Sequence, residues 1–201
     1  MKAIIFDIDG TLIESMSVDT ELYFSAVQEV LGPVRIRNLG DYDHVTDSGV
    51  LEQILNDNGY SIDHEVTSSV KAVFVDGIRR HIEESGSFPV IEGAVQFVES
   101  MRASNDRRVA IATGGWRESA LLKLKGAGFN ITGVPLVTGD DSRSRTEIMK
   151  LALEKAGDDV SSVTYFGDAE WDQRACSELG WDFIAVGPSL GGIESYVNLE
   201  L

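Results

Sequence analysis

The chain has a single cysteine, Cys176, among its 201 residues, which excludes an intramolecular disulfide and fits a reducing compartment. Cys176 falls in the helical run Arg174-Ala175-Cys176-Ser177-Glu178-Leu179, where a small buried thiol is expected rather than a reactive one. Positive charge is also scarce: 17 Lys and Arg stand against 33 Asp and Glu, a formal net charge of -16. Nucleic acid and anionic membrane are both gripped through clustered Lys and Arg, so neither is expected as a partner, and most of the negative charge reads as solubility. No apolar run approaches the roughly twenty residues of a membrane helix. The amino terminus shows none of the basic segment, apolar core and small-residue cleavage site of a secretory signal. A soluble, cytoplasmic chain is expected, without internal repeats or low-complexity tracts.

The rest of the composition, 43% hydrophobic and 25% charged residues, is that of an ordinary globular protein, long enough for a substantial core in one domain or one domain with an insertion. The stretch that organises it is Lys2-Ala3-Ile4-Ile5-Phe6-Asp7-Ile8-Asp9-Gly10-Thr11. Ile4, Ile5 and Phe6 in succession suit a central parallel strand covered on both faces. Gly10 allows a sharp turn, and the Thr11 hydroxyl can bond it. Ligands of open α/β sheets sit beyond the carboxyl ends of the strands, which is where Asp7 and Asp9 fall. Two aspartates one residue apart repel unless a cation or a shared proton relieves them. Magnesium takes such carboxylates together with waters and phosphate oxygens. This invites a phosphoryl-transfer reading, in which a carboxylate such as Asp7 attacks phosphorus and a neighbour such as Asp9 moves protons. A strand followed by an acidic turn is the plainer alternative, and the remainder of the chain has to decide.

After Thr11 the pattern turns helical for a long interval. One helix is expected from about Thr20 to the stop at Gly32-Pro33, and a second amphipathic run carries Val50, Leu51, Ile54 and Leu55. A third, longer run places Val66, Val70, Val73, Phe74, Ile78 and Ile82 on one stripe. No strong strand intervenes between Ile13 and Phe88, so residues 15-88 read as a helical cap inserted into an α/β core formed by residues 1-14 and 89-201, with Gly86 to Pro89 as the returning linker. From Ile91 onward helices alternate with the strands Val109–Thr113, Pro135–Thr138, Val163–Asp168 and Phe183–Val186. The expected fold class is α/β, a Rossmann-like parallel sheet with helices on both faces, and the insertion over its carboxyl end could act as a lid.

Three further segments complement Asp7 and Asp9. Thr113 closes a strand ahead of Gly114-Gly115, and a hydroxyl beside approachable backbone N–H groups suits phosphate oxygens, although a helix-capping threonine fits equally. Asp168 ends another strand as a candidate metal ligand, and Asp172 lies about one helical turn on, able to approach the same ion or merely to offset a helix dipole. Arg143 and Arg145 supply the positive charge that an anionic nucleophile and an anionic phosphate require between them. Arg145 is preferred because it stands at the entrance to a helix.

These residues, spread over nearly the whole chain, resemble the motifs of the haloacid dehalogenase-like hydrolase superfamily, predominantly magnesium-dependent phosphatases. Asp7-x-Asp9-Gly10-Thr11 is similar to the first motif, Thr113 to the second, and Gly167-Asp168 with Asp172 to the fourth. The third motif departs, because Arg143 or Arg145 stands where the family usually has lysine. The resemblance implies Asp7 as nucleophile and Asp9 as general acid/base. It also implies Mg2+ held by Asp7, Asp168 and the Asp9 carbonyl, and a small phosphorylated metabolite as substrate. The scheme requires Asp9 to carry a proton when the alcohol leaves.

Gly10, Thr11 and Gly114 belong to the expected substrate-binding turns. His44, Thr46 and Asp47 lie just before a helix of the insertion, from which a cap could reach the substrate, and Arg117 could meet a second anionic group, although a plain structural role is the readier reading of each. Trp116 and Trp171 read as packing residues. Asp9 and Asp168 argue against a haloacid dehalogenase, and nothing around Lys71 marks it as the imine-forming lysine of a phosphonate hydrolase. A sugar phosphomutase uses the same core, and the arginine in place of lysine keeps a non-catalytic regulatory homologue open.

Overall fold

The computed structural model describes residues 1–201. Strand β1 (Lys2–Phe6) is followed by helices α1 (Met16–Leu31), α2 (Asp47–Asp57) and α3 (His64–Ser85). A regular alternation then begins with α4 (Ala94–Ala103), β2 (Arg107–Ala112), α5 (Arg117–Gly126) and β3 (Leu136–Val137). It closes with α6 (Arg145–Ala156), β4 (Ser162–Gly167), α7 (Glu170–Leu179) and β5 (Asp182–Ala185). The strands form one parallel sheet in the order β3-β2-β1-β4-β5. The chain is thus α/β with a helical segment inserted after β1. No helix is long and apolar enough to cross a membrane.

The period of two along β1 sorts its side chains between two cores. Ile4, Phe6 and Ile8 join a cluster with Phe97, Val98, Met101 and Ala120 of α4 and α5. Ala3 and Ile5 face Ile148, Met149, Ala152, Ala175 and Cys176 of α6 and α7. Cys176 is buried in that second layer, and burial pushes its thiol pKa up to about 12, so it is an inert packing residue. Near the carboxyl end of the chain, Tyr196 packs within 5.1 Å of the Phe97 ring and 5.6 Å of the Phe166 ring. Its hydroxyl donates to the Thr11 carbonyl at 3.0 Å, a brace on the turn after β1 that the sequence pattern does not announce.

Two elements differ from expectation. α1 begins at Met16, a turn earlier than Thr20, and this extra turn carries Asp19. Ser15 stands at its N-cap without capping it, because its hydroxyl donates instead to Asp9 at 2.5 Å. β3 shrinks to Leu136–Val137; it is the sheet edge, where Pro135 is tolerated and Thr138 turns away to bond Asp141 at 2.9 Å. The helical segment leaves and returns side by side: Ile13 pairs with Val90, and Glu14 N–H donates to the Pro89 carbonyl at 2.8 Å. Between these points α1 and α3 pack on each other and α3 packs on α5, with Tyr23, Phe74 and Trp116 in mutual ring contact at 5.6 to 5.9 Å.

Candidate active site

β1 is flanked on both sides, and the chain turns outward from it in opposite directions toward β2 and β4, so the crevice of the sheet opens at its carboxyl end. β1 delivers Asp7 and Asp9 there, β2 delivers Thr113, β4 delivers Asp168, and the first turn of α7 delivers Asp172. Asp7, Asp168 and Asp172 each offer a carboxylate oxygen within 4.8 Å of the others. Arg145, in the first turn of α6, places Nη1 3.3 Å from Asp7 Oδ1 and 3.3 Å from Asp172 Oδ1.

One guanidinium does not neutralise three carboxylates. Burial holds the Asp7 carboxyl well above its ordinary range, with Arg145 opposing and Asp172, Asp168 and Asp9 reinforcing the shift. Burial, then Asp172, pushes Asp168 to about 7, and burial raises Asp172 against the pull of Arg145. Asp168 Oδ1 and Asp172 Oδ2 are buried without any hydrogen-bond partner, an expensive condition for carboxylate oxygens. Three carboxylates with unpartnered oxygens fit a hard divalent cation that takes oxygen ligands. The site is a candidate metal centre on the chemistry of its donors alone.

Two glycines are demanded by the crowding. Gly10 has φ +76°, and a Cβ there would stand 2.1 Å from Asp168 Oδ2. At Gly114 a Cβ would meet Arg145 Nη2 at 2.8 Å and the Val45 carbonyl at 2.9 Å. The loop before α2 therefore lies directly on the turn after β2. Asp47 N–H donates to the Gly114 carbonyl at 2.9 Å, the Thr46 hydroxyl to the Arg143 carbonyl at 2.9 Å, and the Ser48 hydroxyl to the Gly139 carbonyl at 2.6 Å. Arg145 Nη2 returns a bond to the Val45 carbonyl at 3.1 Å. A cavity of about 60 Å³ is left between the sheet and the helical segment. Asp7, Asp9, Asp168, Thr113 and Arg145 form one wall, and Asp19, Tyr23, Phe24 and Asp47 stand on the other.

The sequence model for haloacid dehalogenase-like hydrolases matches residues 1–180. The chain belongs to that family. No curated protein matches it by sequence comparison. Its fold is similar to a hydrolase from Pseudomonas syringae, 22% identical over 92% of this chain and 84% of the other, with a TM-score of 0.73. It is similar to CbbY from Rhodobacter sphaeroides in complex with phosphate, 16% identical over 98% and 89%, TM-score 0.70. A β-phosphoglucomutase from Clostridium difficile is 15% identical over 92% and 84%, TM-score 0.69. At these identities the likenesses speak for the fold.

In this haloacid dehalogenase-like hydrolase the Asp9 carboxylate does not join the three acids. Its Oδ1 accepts from Ser15 Oγ and from Lys123 Nζ, both at 2.5 Å, and Lys123 also bonds Asp19 Oδ1 at 2.5 Å. The sequence reading missed Lys123, Ser15 and Asp19. A helical phase signal was there: Lys123 stands three and four residues beyond the buried Ala120 and Ser119 and one before the buried Leu124, on a face where a charge needs a partner.

The remaining candidates separate. Thr113 is buried, and its hydroxyl accepts from Gly115 N–H at 3.1 Å, which closes the turn; α5 is instead preceded by Trp116. Thr46 caps α2 through Gly49 N–H at 3.1 Å, and Asp47 Oδ2 accepts from Trp116 N–H at 2.7 Å; both line the cavity. Trp171 lines it too, whereas Trp116 is buried packing.

Arg143 does not reach the acids, since it projects outward to pair with Glu52. Arg117 is held by Asp141 at 2.7 Å and by the Leu136 carbonyl at 3.0 Å, outside the cavity. His44 precedes α2 but does not line the cavity, and Thr11 is fully buried with an unpartnered hydroxyl beneath the turn. Lys71 pairs with Asp140, away from the acids.

Proposed function

We propose that this family member is a Mg2+-dependent phosphatase that hydrolyses a small phosphate monoester through a phosphorylated Asp7. The observation that carries this reading is the meeting of Asp7, Asp168 and Asp172 with Arg145 beside the cavity between the sheet and the helical segment. Asp7, Asp168, Asp172 and the Asp9 main-chain carbonyl would hold the ion, which when bound offsets charge on the phosphoryl oxygens. Residues 1-14 and 89-201 act as the core and residues 15-88 as the cap.

Asp7 attacks phosphorus as the bond to the leaving oxygen breaks, and Asp9 gives that oxygen its proton. Water then attacks the acyl phosphate, giving its proton to Asp9 and releasing inorganic phosphate. Arg145 serves as the cation between nucleophile and phosphate, with a wider donor fork than lysine. The Thr113 hydroxyl and the Gly114 turn receive the phosphate oxygens. Asp9 needs a proton for the first step, and the Lys123 ammonium on its Oδ1 leaves Oδ2 as the oxygen that faces the substrate. A phosphomutase passes through a doubly phosphorylated ligand, and Arg145 is the one cation lining the cavity, so hydrolysis is favoured.

The test is release of inorganic phosphate from p-nitrophenyl phosphate with Mg2+. Turnover abolished by EDTA and by Asp7→Asn supports the reading. A wild-type protein that binds Mg2+ yet releases no phosphate defeats it.

A further inference from the structure

The wall of the cavity opposite the metal cluster is acidic in a way the hydrolysis of a bare phosphate ester does not need. Asp9 Oδ2 and Asp47 Oδ2 lie 3.7 and 3.8 Å from the point where a Cβ on Gly115 would stand. Asp47 therefore stands within reach of a group attached to the oxygen that Asp9 protonates. Asp19, one turn before Tyr23 on α1, lines the same wall. Lys123 takes one oxygen of Asp9 and one of Asp19, and Trp116 N–H takes one oxygen of Asp47. Asp19 Oδ2 and Asp47 Oδ1 receive no donor from the protein, and both side chains border the cavity.

The charges do not balance there. Lys123 pairs with Asp9 and Asp19 but not with Asp47, while Arg145 is committed to Asp7 and Asp172. Burial without a second cation holds the Asp47 carboxyl well above its ordinary range and Asp19 at about 6. No further Lys, Arg or His lines the cavity. A carboxylate or second phosphate on the leaving group would meet acceptors alone and be repelled. A neutral hydroxyl would satisfy an acceptor but leave the charge. An ammonium group would supply donors to both free oxygens and the missing positive charge, beside the rings of Tyr23 and Phe24, which favour a cation. The cavity borders the metal cluster and the two acids alike, so a short chain is enough to join the phosphate to the ammonium.

We propose that the substrate is the phosphate monoester of a short amino alcohol, its ammonium held between Asp19 and Asp47. This rests on the phosphatase reading above: water and the ester give the free amino alcohol and inorganic phosphate.

Three two-carbon esters of nearly equal size isolate the end-group charge: 2-aminoethyl phosphate, 2-hydroxyethyl phosphate and phosphoglycolate. With Mg2+ present, kcat/KM is expected to be at least tenfold higher for the amine than for the alcohol, and lowest for the carboxylate. Asp19→Asn and Asp47→Asn each should shrink the amine-to-alcohol ratio, chiefly through a higher KM for the amine. Two variants on different helices guard against one of them failing to fold. Hydrolysis of p-nitrophenyl phosphate without preference for the amine, or with preference for phosphoglycolate, overturns the inference and leaves the phosphatase reading standing. Failure to hydrolyse p-nitrophenyl phosphate and all three esters overturns both.

Discussion

Lys123 Nζ lies 2.5 Å from Asp9 Oδ1 and 2.5 Å from Asp19 Oδ1, and none of its side chain reaches solvent. The ammonium is the only charge joining the turn after β1 to the first turn of α1. Burial opposes its protonation, but Asp19 and Asp9 outweigh it and hold the amine charged well above the ordinary lysine range. Lys123→Met therefore strands two buried carboxylates, which costs about 3–5 kcal/mol when one partner of such a pair is removed. Urea unfolding at neutral pH should show a loss of that order, and adding Asp19→Asn should restore part of it. Stability unchanged in Lys123→Met would show that the amine is not the partner of these acids.

Arg145 and Arg143 differ by environment rather than by type. Arg145→Lys keeps a charge near Asp7 but gives up the fork that reaches Asp172 and the Val45 carbonyl together. Phosphatase turnover is expected to fall by at least about tenfold, short of the roughly hundred- to thousandfold of a donor removed outright, because the charge is kept. Arg143→Ala removes an exposed pair with Glu52 and should change turnover by less than about threefold. Equal losses in both variants would contradict this division.

Metal dependence should be tied to pH. Asp168, raised to about 7, and Asp7 and Asp172, raised as well, bind protons more tightly in the folded chain than in the unfolded one. For raised carboxyl groups the stability they allow is complete below the unfolded value and is lost as pH climbs through the folded value. Without metal, the melting temperature should fall between pH 5 and pH 8. Added Mg2+ should raise it more at pH 8, where the carboxylates are ionised. A Mg2+ effect equal at both pH values would speak against these acids as its ligands.

Asp7→Asn should remove phosphatase turnover and yet stabilise the metal-free protein. The amide resembles the neutral carboxyl that burial favours at this position. In EDTA at pH 8 a rise in melting temperature is expected, at about 2–4 °C per kcal/mol for a chain of this size. A variant that melts lower than wild type under those conditions would show that the Arg145 pair outweighs burial.

Much of the site was readable because its residues end strands. An apolar run that stops at Asp7 or Asp168 marks both a buried element and the place where it meets solvent, so strand and ligand are found together. Asp172 follows from one helical turn of spacing after Asp168, and Arg145 from its place at the entrance to a helix. Asp19 and Lys123 were missed for the opposite reason. Each is a charge inside a helix, where single residues usually face water, and only their pairing across the junction makes burial affordable. Arg143 and Arg145 could not be separated from the sequence, since the turn into α6 decides which one points inward. The expected start of α1 at Thr20 rests on the apolar spacing that begins at Leu22, and the first turn from Met16 carries the buried ion pair of Asp19 rather than that apolar stripe.

The junction between the helical segment and the sheet is read largely through main-chain carbonyls: those of Gly114, Arg143, Gly139 and Val45 accept the bonds that close it. Such a junction is blind to the side chains on its accepting side. Mutational drift at Arg143 leaves the Thr46 bond in place, whereas a side chain at Gly114 is barred by crowding. The wall that selects the leaving group can therefore be rebuilt residue by residue while the two halves keep their relative placement. Selectivity and architecture are free to evolve at different rates.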